Sequence, residues 1–103
     1  MKNYNKLVRD NIPKIIEQSG KKAVYYTLSS QDYITELDNK LCEEVNEYRE
    51  DKNLEELADI LEVLYAICEA RGYSIEELKS KRKEKAEERG SFQKKIFLEY
   101  ING

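Results

Sequence analysis

Two stretches of helical apolar periodicity stand back to back in this chain, separated only by Asp51-Lys52-Asn53. The first puts Ile34, Leu37, Leu41, Val45 and Tyr48 on one stripe. Steps of three and four residues match the helical repeat and not the two-residue repeat of a strand. The second runs from Leu54 to Cys68 and is apolar over a wide arc that includes Leu57, Ile60, Leu61, Val63, Leu64, Tyr65 and Ile67. So short a link makes the two helices antiparallel neighbours. A surface helix needs one apolar stripe, so the wide arc predicts two neighbours for the second helix, one of which can come from another subunit. With four glycines and one proline in 103 residues, a turn-rich β fold is excluded and an all-α bundle is expected. The length fits one domain, residues 1–103, with one modest core.

The remaining elements follow from caps and breakers. Asp10 or Asn11 can cap a short helix, Pro13 suits its first turn, and Gly20 ends it. Its apolar face is Ile12, Ile15 and Ile16. Residues 23–28 are aromatic and β-branched and read as a short extended segment. Ser29 or Ser30 caps the first long helix, with Asp32 near its positive end. Asn53 caps the second, and Gly72 ends it. Ser74 and Glu77 form a capping box for a fourth helix. That helix carries Lys79, Lys81, Arg82, Lys83, Lys85 and Arg89, and Gly90 stops it. The tail from Phe92 to Ile101 carries Ile96, Phe97 and Leu98, which are expected to dock onto the bundle.

Several function classes are removed at once. The chain has no histidine, so His-based triads and most zinc sites are out. Cys42 and Cys68 lack metal-ligand spacing and read as reduced thiols. A formal net charge of -3 argues against general nucleic-acid binding. The Lys/Arg-rich fourth helix lacks interleaved aromatics and reads as a solvated face laced with i,i+4 pairs. No run is apolar enough to span a bilayer, and no signal peptide is visible, so a cytoplasmic location is expected.

Carboxylates, lysines and any bound metal are left to do chemistry. Two acid pairs stand out, Glu44 with Glu47 and Glu56 with Asp59. Residues three apart share a helix face. One pair lies just before the hairpin link and the other just after it, so all four can converge at one end. Turning at ~100° per residue puts Glu44 about 50° from the centre of its apolar stripe, and Glu43 on the far, solvated side. An acid beside an apolar stripe costs stability unless its charge is compensated. Magnesium suits hard oxygen ligands. Plainer readings stay open. Glu56 follows Asn53 by three and can complete a capping box. Asp59 can be a first-turn acid. Glu44 and Glu47 can pair with Lys40 or Arg49.

The ordered set of Glu44-x-x-Glu47 and Glu56-x-x-Asp59 resembles the all-α nucleotide pyrophosphohydrolases, the superfamily of MazG, the dimeric dUTPases and phosphoribosyl-ATP pyrophosphohydrolase. Lys6-Leu7-Val8-Arg9-Asp10 with Ile12-Pro13 resembles the opening of a small phosphoribosyl-ATP pyrophosphohydrolase-like subgroup. So do Lys40-Leu41 with Glu43-Glu44, the stretch from Glu55 to Val63, and Lys85-Ala86 with Arg89-Gly90 and Phe92. The resemblance implies a helical bundle that assembles as a homodimer or homotetramer. It implies Mg2+ (or Mn2+ as substitute) held by Glu44, Glu47, Glu56 and Asp59, and cleavage between the α- and β-phosphates of a nucleotide. Glu44 or Glu47 would serve as catalytic base. Lys40, Lys85 and Arg89 would contact substrate, with Lys85 and Arg89 near its phosphates. The Leu7-to-Pro13 opening and the Arg-Gly-x-Phe run depart from histidine-biosynthesis enzymes of this type, which argues against phosphoribosyl-ATP itself as substrate. The competing expectation is a helical module that binds a nucleotide or a protein without hydrolysis.

Overall fold

Four helices appear in a computed structural model of the chain, which describes residues 2–103. They are α1 (Ile12–Gln18), α2 (Ser30–Asp51), α3 (Leu54–Ala70) and α4 (Ile75–Arg89). No strand is present among the described residues. The fold is all-α, as the periodicity requires.

Local chemistry sets the helix ends. Ser29 Oγ accepts from the Asp32 amide at 3.2 Å, and Asn53 Oδ1 accepts from the Glu56 amide at 3.0 Å. Ser74 and Glu77 make both bonds of the reciprocal box. The α2–α3 link is tighter than the sequence suggests. Asp51 remains helical, and Lys52 alone turns the chain in the left-handed region at φ 53°. At α1 the expected cap fails. The Asn11 side chain makes no capping bond, because its backbone is already near-helical at φ -90° and ψ -2°. Pro13 supplies the preset first turn instead.

The hairpin of α2 and α3 holds the core. Leu37, Val63 and Cys68 are its buried apolar side chains. Cys68 is a free thiol that donates to the Ser74 carbonyl at 3.3 Å, and Cys42 is free and exposed. α4 packs only on α3, with no contact to α2. Residues 23–28 form no ladder, and Val24, Tyr25 and Tyr26 are exposed. The tail does not dock as expected. Phe92, Ile96, Phe97, Leu98 and Ile101 all face outward, Phe92 at 96% exposure. Four residues of the wide α3 arc, Leu54, Leu57, Leu61 and Leu64, are also uncovered. They are spaced three, four and three apart, which keeps them on one line of the helix.

One chain therefore does not bury its own apolar surface. It exposes 9695 Å², against about 6,100 Å² for a compact monomer of its mass. Its radius of gyration is 18.2 Å, against about 13 Å for a compact chain of this length.

Candidate metal centre

The hairpin brings together all four acids singled out by spacing. Glu44, Glu56 and Asp59 each offer a carboxylate oxygen within 4.8 Å of the others, and Glu43, Glu44 and Glu47 do the same. Glu44 belongs to both groups. The reason is local. A two-residue link, Lys52 and Asn53, sets the second half of α2 beside the first half of α3, and the i,i+3 spacing puts each pair on one helix face.

Glu44 is the pivot. It is only 6% exposed, beside a core of Leu37 and Val63. Its Oε1 meets Lys40 Nζ at 3.4 Å. Its Oε2 is buried with no hydrogen-bond partner, and so is Oε2 of Glu56. Glu56 is half-buried as a residue, yet that one oxygen is shielded. The Glu56 side chain does not close a capping box on Asn53, as α4's Glu77 does on Ser74. The capping reading of Glu56 thus fails for its carboxylate. Orphaned buried carboxylate oxygens are costly. Both carboxylates belong to the acid-lined seam, and such a set suits a hard cation that takes oxygen ligands.

The titration behaviour follows from the same geometry. Burial, and then the charge of Glu47, push the Glu44 carboxyl above the ordinary glutamate range, with Lys40 opposing. Desolvation, and then Asp59, Asp51 and Glu44, push Glu56 up as well. Glu43 goes the other way. Burial raises it, but its bonds to Lys6 and Lys40 outweigh burial and hold it below that range. Glu43 is held by two lysines, Glu44 has one longer contact to Lys40, and Glu56 has no cation partner among the described residues.

Glu43 corrects the sequence reading. Its side chain is not on a solvated far side but bridges Lys6 Nζ at 2.8 Å and Lys40 Nζ at 3.2 Å. The N-terminal segment folds back over α2 and supplies the cation that holds it there. Arg9 does the same on α3, with Nη2 at 2.6 Å from Asp59 Oδ1. Spacing analysis missed both cations as site residues. The signal was present as Lys6 and Arg9, three apart ahead of Pro13, but nothing local to 6–9 says which surface they reach. Lys40 lies in the cluster, where it bonds Glu43 and Glu44. Lys85 and Arg89 do not reach it. They sit on α4, which has no contact with α2, and neither pairs with the acids. Glu43, Glu44, Glu47, Glu56 and Asp59 face only Lys6, Arg9 and Lys40, so acids outnumber cations in the cluster.

An uncharacterized protein of Mycolicibacterium smegmatis is 54% identical over 43 residues, which is 42% of this chain and 44% of that relative. The matched segment spans less than half of the curated relative. No family model and no solved structure matches the chain. No helix is long and apolar enough to cross a membrane among the described residues.

Proposed function

We propose that this protein is a nucleotide pyrophosphohydrolase that uses Mg2+, with Mn2+ as a substitute, held by Glu44, Glu47, Glu56 and Asp59. The observation that carries the reading is the convergence of Glu44, Glu56 and Asp59, with Glu47 beside Glu44, together with a buried oxygen on each of Glu44 and Glu56 that has no hydrogen-bond partner. A purely structural seam between two amphipathic helices would place apolar side chains there. The ordered acid motif resembles the MazG-like superfamily, and the all-α hairpin is the architecture that this resemblance implies.

When bound, the cation supplies charge neutralisation for phosphate oxygens and shifts water toward hydroxide. The chain's own residues do the rest. Glu44 or Glu47 accepts the proton of the attacking water, since the chain has no histidine. Water adds at phosphorus, the bridging P–O bond between the α- and β-phosphates breaks, and the products are a nucleoside monophosphate and pyrophosphate. Lys40, anchored on Glu43 and Glu44, places one ammonium beside the acids where it can contact substrate.

The same proposal includes assembly as a homodimer or homotetramer. The excess exposed surface of one chain is roughly 3,600 Å², within reach of what an obligate interface removes. The uncovered Leu54, Leu57, Leu61 and Leu64 line on α3 is the natural contact. Lys85 and Arg89 can then approach substrate phosphates only from a second copy, given where α4 sits.

The test is pyrophosphate release with Mg2+ across canonical, deoxy and damaged nucleoside triphosphates. Wild type should be active on a subset, and Glu44→Gln and Asp59→Asn should lose that activity. Equal activity in all three rejects the site. Saturable nucleotide uptake without product would support the binding-module reading.

A further inference from the structure

Two segments of the chain have no regular structure, yet both are rich in residues that favour strands. Residues 23–28 include Val24, Tyr25 and Tyr26, and residues 96–101 include Ile96, Phe97 and Leu98. Such β-branched and aromatic residues fit a pleated, half-covered surface. Val24 and Phe97 are instead both 90% exposed. Among the described residues, neither segment makes a backbone–backbone hydrogen bond. The two are of equal length, and that length is typical of a strand.

The fold keeps them apart within one chain. Residues 23–28 lead into α2, whose first half lies beside the end of α3, with Arg71 on Asp38 at 3.4 Å. α4 starts at that same end, where Cys68 Sγ donates to the Ser74 carbonyl. Its 15 residues then carry the chain about 22 Å further. A turn closed by the Lys95 amide on the Phe92 carbonyl, at 3.2 Å, sets off residues 96–101 as a separate stretch. One chain also exposes roughly 3,600 Å² more than a compact monomer of its mass. A standard interface removes about 800 Å² from each partner, so contact along α3 leaves surface for these segments to cover.

Charge gives the direction and the register. Lys21-Lys22 precede one segment and Lys94-Lys95 the other. Parallel pairing would set these like charges side by side, whereas antiparallel pairing puts them at opposite ends. With Lys22 across from Glu99, Val24 falls across from Phe97, and Tyr25 across from Ile96. Opposite-charge and aromatic–β-branched pairs are the ones that stabilise a ladder. Neither Lys22 nor Glu99 has an ion-pair partner among the described residues. The alternation of side chains then gathers Ala23, Tyr25, Ile96 and Leu98 on one apolar face. A two-stranded ribbon is marginal alone, and that face lets it rest on a helix surface.

We propose that residues 92–101 are an exchange arm: residues 96–101 of one copy pair as an antiparallel strand with residues 23–28 of a second copy, and the exchange is mutual. This rests on the assembly part of the reading above and names the segments that tie the copies together. Strand addition takes its affinity from main-chain hydrogen bonds and its choice of partner from alternate side chains. Mutual exchange closes a two-fold dimer and leaves no free arm to string copies into a filament.

The experiment uses full-length chains carrying Cys42→Ser, since Cys42 is the exposed thiol and Cys68 is buried. A Val24→Cys chain and a Phe97→Cys chain are co-expressed with different affinity tags, and mixed dimers are treated with a short bismaleimide. They should yield a covalent dimer whose peptide map joins position 24 to position 97. Equally strong linkage of the Phe97→Cys chain to itself means that tails pair with tails and overturns the proposal. A chain carrying both substitutions that links only within itself overturns it too. Glu99→Lys should weaken association about tenfold in sedimentation equilibrium, because each dimer holds two such pairs, and Lys22→Glu in the same chain should restore it. No loss, or a loss without rescue, overturns the pairing. A wild type that stays monomeric overturns the arm and the assembly together. A dimer without the 24–97 link overturns the arm and leaves the α3 contact and the metal centre standing.

Discussion

Replacing Glu44 by Gln removes one charge and almost no volume, and its effect on stability should reverse sign with the cation. Without metal, wild type keeps a carboxylate 6% exposed with Oε2 unpartnered. Leaving such a group unsatisfied costs about 1–3 kcal/mol. The Lys40 contact, at 3.4 Å, returns at most about 1 kcal/mol. A Gln amide can donate to the neighbouring carboxylates, so Glu44→Gln should be more stable by about 1 kcal/mol in chelator at neutral pH, or about 4–8 °C in Tm. Mg2+ at 100 times its Kd should add about 2.7 kcal/mol to wild type and much less to the variant, so wild type then melts higher. The pH dependence has a fixed sign. The folded-state pKa of Glu44 is raised, so below the ordinary glutamate range both states hold the proton and the variant's advantage vanishes. As pH rises through that range toward the raised value, the unfolded chain releases its proton first and wild type loses stability. The advantage of Gln should therefore grow with pH and level off above the raised pKa. Thermal melts in EDTA and in Mg2+ at fixed protein concentration read all of this. A variant that melts below wild type in EDTA, or that gains as much from Mg2+, would refute the role of the buried carboxylate.

Three further outcomes are expected. Lys6→Met should let the Glu43 carboxyl rise toward the ordinary range, visible in carbon-detected NMR titration, while costing no more than about 1 kcal/mol of stability because Lys6 is well exposed. Asn53→Ala should destabilise the fold by about 1 kcal/mol in chemical denaturation through loss of the Glu56 amide cap, and should weaken Mg2+ uptake as α3 frays beside the seam. Leu57→Glu with Leu61→Glu should shift light scattering toward smaller species and remove the concentration dependence of Tm, since both side chains lie on the uncovered α3 line.

The hairpin was legible because its causes are local. Ser29, Asn53 and the Ser74–Glu77 pair are caps that act within four residues, and the periodicity of Ile34 to Tyr48 is a property of one helix. The acid quartet was legible for the same reason, since i,i+3 spacing and a short link leave the pairs little choice but to meet. What failed was non-local. Glu43 looked solvated on a helical wheel because a wheel knows nothing of Lys6, 37 residues upstream. The tail was expected to dock because Ile96, Phe97 and Leu98 are apolar. Hydrophobicity says that such residues prefer cover, and it does not say that the same chain provides it.

By itself the sequence determined four helical segments, where each starts, and the gathering of Glu44, Glu47, Glu56 and Asp59 at one end of a hairpin. Tertiary structure alone decided that Glu44 is sealed in and Glu56 presents an orphaned oxygen, that Arg9 and Lys6 close over the acids, and that α4 keeps Lys85 and Arg89 away from them. The physical reason is range. Capping and helical periodicity act over a few residues, whereas burial and ion pairing depend on which distant surfaces the chain brings into contact.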